Sequence, residues 1–426
     1  MMDRREFMKA LGWTAAVIPG WLTGSGCGTV NVSSDSTTGL SLGYISGDVT
    51  HTSALIWLRA DPGSRVSLEY ADDASFSQSR WTTALPVDAN ADNSTIIPLD
   101  NLRPFTRYYY RGLVTGRRPG PIASFLTAPA PENSAKVVFC FSGDTRESYQ
   151  PFTIMQAVQT QRPDFFLHLG DTIYADRGGT AGTLEEFWQK YRNNRSDRFS
   201  QRCFATTSVY AIWDDHEVAD DYLPGHPLAP IGLKAFLDYW PIRRNLLEPR
   251  RIYRSVRWGR ALELFLLDGR QYRDPNHESM LGRRQRQWLL DGLAKSTATF
   301  KFIATPVPMA GGGSDRWDGY PKERSEILHF IKEKKLPGVV FLSADLHYAA
   351  ITKIPNSGGL IDITAGPLAA PLNRVTDGTD ARFEFFLAEN FNFAKITVDP
   401  KADPNHALLQ FVDQDNHVFH TRKIRA

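Results

Sequence analysis

A chain of 426 residues is longer than one hydrophobic core usually supports, so two structural units plus terminal segments are expected. Basic and acidic side chains nearly cancel, leaving a formal net charge of +2. That excludes bulk charge as the basis for a nucleic-acid partner, and any attraction for an anion must be local.

The first residues read as an address. Arg4-Arg5-Glu6-Phe7-Met8-Lys9 precedes the mildly apolar stretch Ala10 to Leu22, the order of a twin-arginine export leader. Residues 1–30 are therefore set outside the fold, against the alternative of an amphipathic surface helix. The chain is expected in the periplasm or outside the cell, with the twin-arginine export machinery as a partner. Gly24-Ser25-Gly26-Cys27 loosely resembles a lipobox in which Cys27 would be acylated, although Leu is missing from its usual place. Cys140 and Cys203 alone then remain, too few for a disulfide framework. No later apolar run is long enough to span a bilayer.

Residues 31–38 are a polar linker. Short β-rich runs bounded by Gly, Pro, Asn or Asp follow: Leu42 to Ile45, Ser53 to Arg59, Arg65 to Tyr70, Ser94 to Leu99, Tyr108 to Val114 and Ala123 to Thr127. This spacing predicts a small all-β sandwich over residues 39–128. Trp57 lies mid-strand, and Leu102 to Tyr108 resembles the tyrosine-corner segment of fibronectin type III domains. Pro129 to Ser134 reads as a second linker.

From residue 135 to 426 buried strands alternate with helical segments, the pattern of a layered α/β domain. The predicted strands are Val137 to Ser142, Asp164 to Leu169, Val209 to Trp213, Ala261 to Leu267, Lys301 to Thr305, Val339 to Ser343 and Leu360 to Thr364. Helices are predicted over Leu184 to Tyr191, Arg283 to Leu293 and Arg324 to Lys334. Lys395 to Val398 and Leu408 to Val412 read as a strand pair completing a sheet.

Four of these strands end alike. The first runs into Gly143-Asp144-Thr145-Arg146 and the second into Gly170-Asp171-Thr172-Ile173-Tyr174. The third runs into Asp214-Asp215-His216-Glu217, and Val339 to Ser343 into Ala344-Asp345-Leu346-His347. Ligands of open α/β sheets bind beyond the carboxyl ends of strands, so these groups converge. Packed carboxylates repel unless a cation neutralises them, so Asp144, Asp171, Asp215 and Asp345 imply bound metal, and His347 and Tyr174 add donors suited to a transition metal. Any one Gly-Asp turn is commonly structural; the recurrence carries the inference.

In that order, Asp144, Gly170-Asp171-x-x-Tyr174, Asp215-His216-Glu217 and Asp345-x-His347 resemble the metallophosphoesterase (calcineurin-like) series, in the variant of PhoD-type alkaline phosphatases. Asp268-Gly269-Arg270-Gln271-Tyr272-Arg273, Leu281-Gly282 before Gln285-x-x-Trp288-Leu289, and Trp317 to Pro321 through Arg324 resemble PhoD-like segments too. The resemblance implies a sandwich of two mixed sheets flanked by helices, preceded by a fibronectin III-like β-sandwich. It implies Asp144, Asp171, Tyr174, Asp215, Asp345 and His347 as metal ligands, with Asp171 bridging and Tyr174 as the phenolate on ferric iron. His216 matches the histidine that contacts phosphate or protonates the leaving group. Two departures stand out: Asp144 replaces a common Cys, and Asp345-x-His347 replaces His-x-His, which favours a hard cation such as Ca2+ beside Fe3+.

The expected reaction is hydrolysis of phosphate monoesters or diesters by in-line attack of metal-bound hydroxide, with His216, Arg146 and Arg270 as catalytic residues. For Arg270 a purely architectural pairing with Asp268 is an equal alternative. Gly311 to Gly313 suggests a lid or a plain turn, and Trp317 and Tyr320 are candidates to wall the entrance. The substrate is expected to be a small phosphate ester, a phospholipid or a polymer. A phospholipase-type phosphodiesterase shares all these residues, and a non-catalytic cell-surface binding protein is disfavoured by the intact acid and histidine set. A serine nucleophile is disfavoured because Asp35-Ser36-Thr37 lies in a linker without a preceding core strand.

Overall fold

The computed structural model describes residues 37–426 apart from Gly312, Pro404 and Asn405. The predicted leader, Cys27 and most of the 31–38 linker lie outside the described residues, as does the centre of the Gly311 to Gly313 run. No helix among the described residues is long and apolar enough to cross a membrane.

Two mixed sheets face each other. In the first, Val137–Ser142, Phe165–His168 and Ser208–Ala211 run parallel, with Asn392–Val398, His406–Asp413 and Val418–Arg425 added antiparallel at one side. The second is built on Leu262–Leu266, Phe300–Ala304, Val339–Ser343 and Ile361–Thr364, all parallel, with antiparallel strands at both flanks. Alternation explains the layering. Val137, Phe139 and Phe141 point into the space between the sheets, where they meet Leu264, Phe302 and Leu342. Cys140 and Phe166 point outward to helices Ile154–Thr160 and Leu184–Arg195. On the far side Phe265, Ile303 and Phe341 bury against Leu289 and Ile327 of helices Gly282–Lys295 and Pro321–Glu333.

The N-terminal strands differ from a free-standing sandwich. Leu40–Gly47, Ala54–Ala60 and Ser94–Leu99 continue the first sheet through a parallel pairing of Gly47 with Val209, giving nine strands among the described residues. Arg65–Ala71, Arg107–Val114 and Ala123–Leu126 form a separate sheet over them. Trp57 belongs to the larger core: its indole donates to the Asp238 carbonyl at 2.7 Å and its ring lies 5.4 Å from that of Tyr239. The tyrosine corner is present, with the Arg103 amide donating to the Tyr108 hydroxyl at 2.9 Å. The tail is three strands rather than a pair. Val418–Arg425 carries few apolar residues because it is an edge with one covered face.

Candidate metal centre and active site

Parallel strands place their C-terminal loops at one end of a sheet, and both sheets contribute to the same cluster. Asp144, Asp171, Asp345 and His347 all adopt left-handed backbone conformations, with φ of 68°, 53°, 64° and 57°. Each costs about 1–3 kcal/mol for a side-chain-bearing residue, and such conformations persist where the surroundings over-determine them. Here they do. The Thr145 amide donates to Asp171 O at 2.8 Å, and the Ala369 amide to Asp144 O at 2.9 Å, extending the ladder past the strands. Gly170 has φ of 108°, and a Cβ there would lie 2.7 Å from that of Asp214, so only glycine lets the two loops approach.

Glu217 staples this end of the sheet. Its carboxylate is fully buried and accepts the amides of Asp171 at 3.0 Å, Thr172 at 2.6 Å and Asp214 at 2.8 Å. Burial nonetheless pushes it up to about 7. Sequence reasoning placed Glu217 only inside a motif; that it holds two ligand loops was not readable from spacing.

The ligand atoms of Asp144, Asp171 and His347 lie within 4.8 Å of one another, as do those of Asp171, Asp215 and His216, and those of Asp214, Asp215 and Asp345. Asp171 is shared by the first two sets and Asp215 by the last two, so the cluster offers adjacent cation positions joined by a common carboxylate. The donors fit a metal. Oδ2 of Asp144 is buried without a hydrogen-bond partner. His347 donates Nδ1–H to the Pro371 carbonyl at 2.6 Å, which leaves Nε2 facing Tyr174 Oη at 3.2 Å and Asp144 Oδ1 at 3.4 Å. Burial, and then the charges of Asp215, Asp214 and Asp144, push Asp171 far above the ordinary carboxylate range. Burial, and then the charges of Asp171, Asp144, Asp215 and Asp345, drive the Tyr174 phenol up. A cation relieves both.

His216 sits beside this cluster, its ring 4.2 Å from that of Tyr174. Nδ1 meets Asp176 Oδ1 at 2.7 Å, and Asp176 is held in turn by Arg177 at 3.3 Å. Burial lowers the imidazole's proton affinity, but Asp176 and Asp215 more than offset it, so the His216 pKa is raised. Asp176 was not anticipated; its signal was an acid two residues beyond Tyr174 in the same loop. For Asp215, burial opposes ionisation, yet Arg270 and His216 hold it below the usual range.

The arginines require one correction. Arg146 is half-buried at the rim, its guanidinium 5.9 Å from the Tyr174 ring, lining a cavity of about 490 Å³ with Arg177 and Lys190. Arg270 is not available as a phosphate fork. Its side chain is 0% exposed; Nε donates to Asp214 at 2.5 Å, Nη1 to Asp315 at 2.9 Å, and Nη2 lies between Asp315 and Asp215 at 2.9 and 3.6 Å. The architectural alternative describes it, although the partners are Asp214 and Asp315, and Asp268 only accepts its backbone amide. The missed residue is Arg316, which forks onto Asp345 at 2.7 and 3.0 Å while remaining 20% exposed. Trp317 and Tyr320 do not wall an entrance. Both are buried, and the Trp317 indole donates to Thr305 at 3.0 Å beneath the loop.

A model of the PhoD-like phosphatase family matches residues 137–381, and a model of the PhoD-like phosphatase N-terminal domain matches residues 27–129. Alkaline phosphatase D of Bacillus subtilis (strain 168) is 28% identical over 415 residues, covering 81% of this chain and 71% of that protein. A structure of PhoD superposes with a TM-score of 0.79 at 21% identity, covering 93% of this chain and 94% of that one. Purple acid phosphatase from yellow lupin (Lupinus luteus) seeds superposes with a TM-score of 0.69 at 15% identity, covering 91% and 74%. With a family model spanning more than half of its length and a cluster of acid and histidine donors fit for metal, the chain belongs to the PhoD-like phosphatase family and is a metal-dependent phosphoric ester hydrolase.

Proposed function

We propose that this hydrolase acts on phosphate diesters and monoesters outside the cytoplasm, with Fe3+ and Ca2+ held by Asp144, Asp171, Tyr174, Asp215, Asp345 and His347. The observation that carries the reading is the shared Asp171 between two sets of ligand atoms, each within 4.8 Å. Tyr174 and His347 beside Asp144 favour iron in the first position, since a phenolate stabilises a trivalent ion. Carboxylates dominate around Asp215, which favours a hard oxygen-seeking cation there. Bound metal supplies Lewis acidity toward phosphoryl oxygens and acidifies water.

The side chains supply the rest. Asp176 fixes the His216 ring through Nδ1, and Nε2, 3.7 Å from the half-exposed Asp220 carboxylate, is the atom that donates a proton to the departing alkoxide. The raised His216 pKa keeps that proton in place to higher pH than an ordinary imidazole would. Activity that depends on protonated His216 falls as pH rises past this raised value. Arg146 and Arg316 are exposed enough to meet nonbridging phosphate oxygens. The cavity beside Arg146 is wide enough for an ester's second substituent, which favours diesters.

Export through the twin-arginine pathway is part of the proposal and rests on Arg4-Arg5 before Ala10 to Leu22; Arg4→Lys with Arg5→Lys should retain the protein in the cytoplasm. For the chemistry, bis-p-nitrophenyl phosphate and p-nitrophenyl phosphate are compared in wild type and His216→Ala at full metal content. The proposal predicts faster diester turnover, a drop of about 10²–10⁴-fold in kcat for His216→Ala, and loss of its alkaline limb. Near-wild-type kcat in that variant would remove His216 from the mechanism.

A further inference from the structure

Between helix Ala229–Tyr239 and strand Arg254–Trp258 runs Arg243-Arg244-Asn245-Leu246-Leu247-Glu248-Pro249-Arg250-Arg251. Leu246 and Leu247 are 92% and 93% exposed, far beyond the other exposed large apolar side chains except Val375. A single exposed leucine needs no explanation; two adjacent ones at a loop tip, ringed by arginines, do. At the base of this finger lies a cavity of about 270 Å³ lined by Arg243, Arg244, Arg251 and Arg254, with Asp48 as its acid.

The charges there are incompletely matched. Arg254 pairs with Asp48 at 2.8 Å and Arg251 with Glu248 at 3.1 Å. Arg244 instead meets the Pro249 and Leu237 carbonyls at 3.4 and 3.3 Å, and the Arg243 guanidinium meets the Ser53 hydroxyl at 2.9 Å. Among the described residues neither has a carboxylate within ion-pair distance. Arg250 is exposed, and exposed Arg283 and Arg284 of the neighbouring helix Gly282–Lys295 continue the basic face.

The finger's position gives this consequence. Arg254 pairs in register with Leu266, the last residue of its strand, so the finger rises from the end of the second sheet that carries Asp268 and Asp345. Gln271, next to Arg270, donates to the Arg250 carbonyl at 2.8 Å.

We infer that the Arg243–Arg251 finger docks the protein on an anionic lipid bilayer, with Leu246 and Leu247 entering the headgroup–acyl boundary and the arginine-lined cavity taking a lipid phosphate. Apolar tips with basic flanks are the arrangement that partitions to such interfaces, and each arginine near the surface adds to the attraction. The overall charge of +2 does not oppose this, because the attraction is local.

The test is co-sedimentation of the full chain with vesicles of phosphatidylglycerol in phosphatidylcholine, and of phosphatidylcholine alone. Wild type should bind the anionic vesicles, more weakly as salt rises, and leave the neutral ones in solution. Leu246→Asp with Leu247→Asp should lower binding about tenfold or more, and Arg244→Glu with Arg250→Glu should do the same. Thermal melting and turnover of a soluble nitrophenyl ester should be unchanged in both, which separates lost docking from lost folding. Undiminished vesicle binding by the leucine variant would overturn the inference, as would equal binding to neutral vesicles. Self-association through the finger without vesicle binding would overturn it too and assign the face to a second copy.

Discussion

Asp171 and Asp345 occupy equivalent places in the two sheets: each follows a buried parallel strand, each sits in a left-handed turn, and each holds a largely covered side chain among acids. Their partners differ. Asp171 accepts the His216 amide, at 3.3 Å, and among the described residues no Arg or Lys pairs with it, whereas Asp345 is forked by Arg316. Burial raises both, but for Asp345 the guanidinium opposes it, and the rise is the smaller. One half of the cluster is thus partly compensated by an arginine, and the other half is left to metal. The requirement for a cation is greatest at Asp171, and it is Asp171 that two ligand sets share.

The sharpest way to break this comparison is to loosen the loop that carries Asp171. Glu217→Gln keeps the volume but turns one acceptor into a donor aimed at backbone N–H groups. It should cost about 3 kcal/mol of stability and lower metal content, read by chemical denaturation and metal analysis. Arg316→Gln acts on the other half. It should leave metal content near wild type and reduce kcat/KM about 10–100-fold, as expected when a group orienting a ligand is lost. A fall in bound metal equal to that of the Glu217 variant would erase the distinction between the halves.

The smallest effect concerns His168, buried at the end of the strand that leads to Asp171. Burial and the nearby Arg195 charge lower it to about 3. The unfolded chain therefore takes up this proton first as pH falls below about 6.5, and the folded chain does not until about 3. Stability contributed by neutral His168 is complete above that window and lost as pH drops through it, amounting to about 1 kcal/mol by roughly pH 5.5. His168→Gln should flatten the acid limb of stability against pH without moving the neutral plateau by the same amount.

Much of this architecture is legible in the chain. The strands that carry Asp144, Asp171, Asp215 and Asp345 are continuous apolar runs because both faces are covered, and such runs announce themselves. Edge strands such as Arg254–Trp258 and Phe383–Leu387 do not, since half of their residues face outward. The continuity of the N-terminal strands with the first sheet rests on one pairing, Gly47 with Val209, and no local pattern encodes it. The ligand candidates were readable because each follows a strand. Their supports were not: Glu217 acts through backbone amides 46 and 45 residues away, and Asp176 and Arg316 through partners 40 and 29 residues away. The two readings of Arg270 could not be separated from sequence for the same reason, because its charge is spent on Asp214 and Asp315, 56 and 45 residues distant.

The most direct test of the account is the metal content and diester turnover of Asp171→Asn beside wild type, with and without chelator. The account predicts two metals per wild-type chain, chelator-sensitive hydrolysis, and loss of both metals with a fall on the order of 10³-fold or more in kcat/KM for Asp171→Asn. An Asp171→Asn protein that keeps both metals and hydrolyses bis-p-nitrophenyl phosphate at the wild-type rate would contradict it.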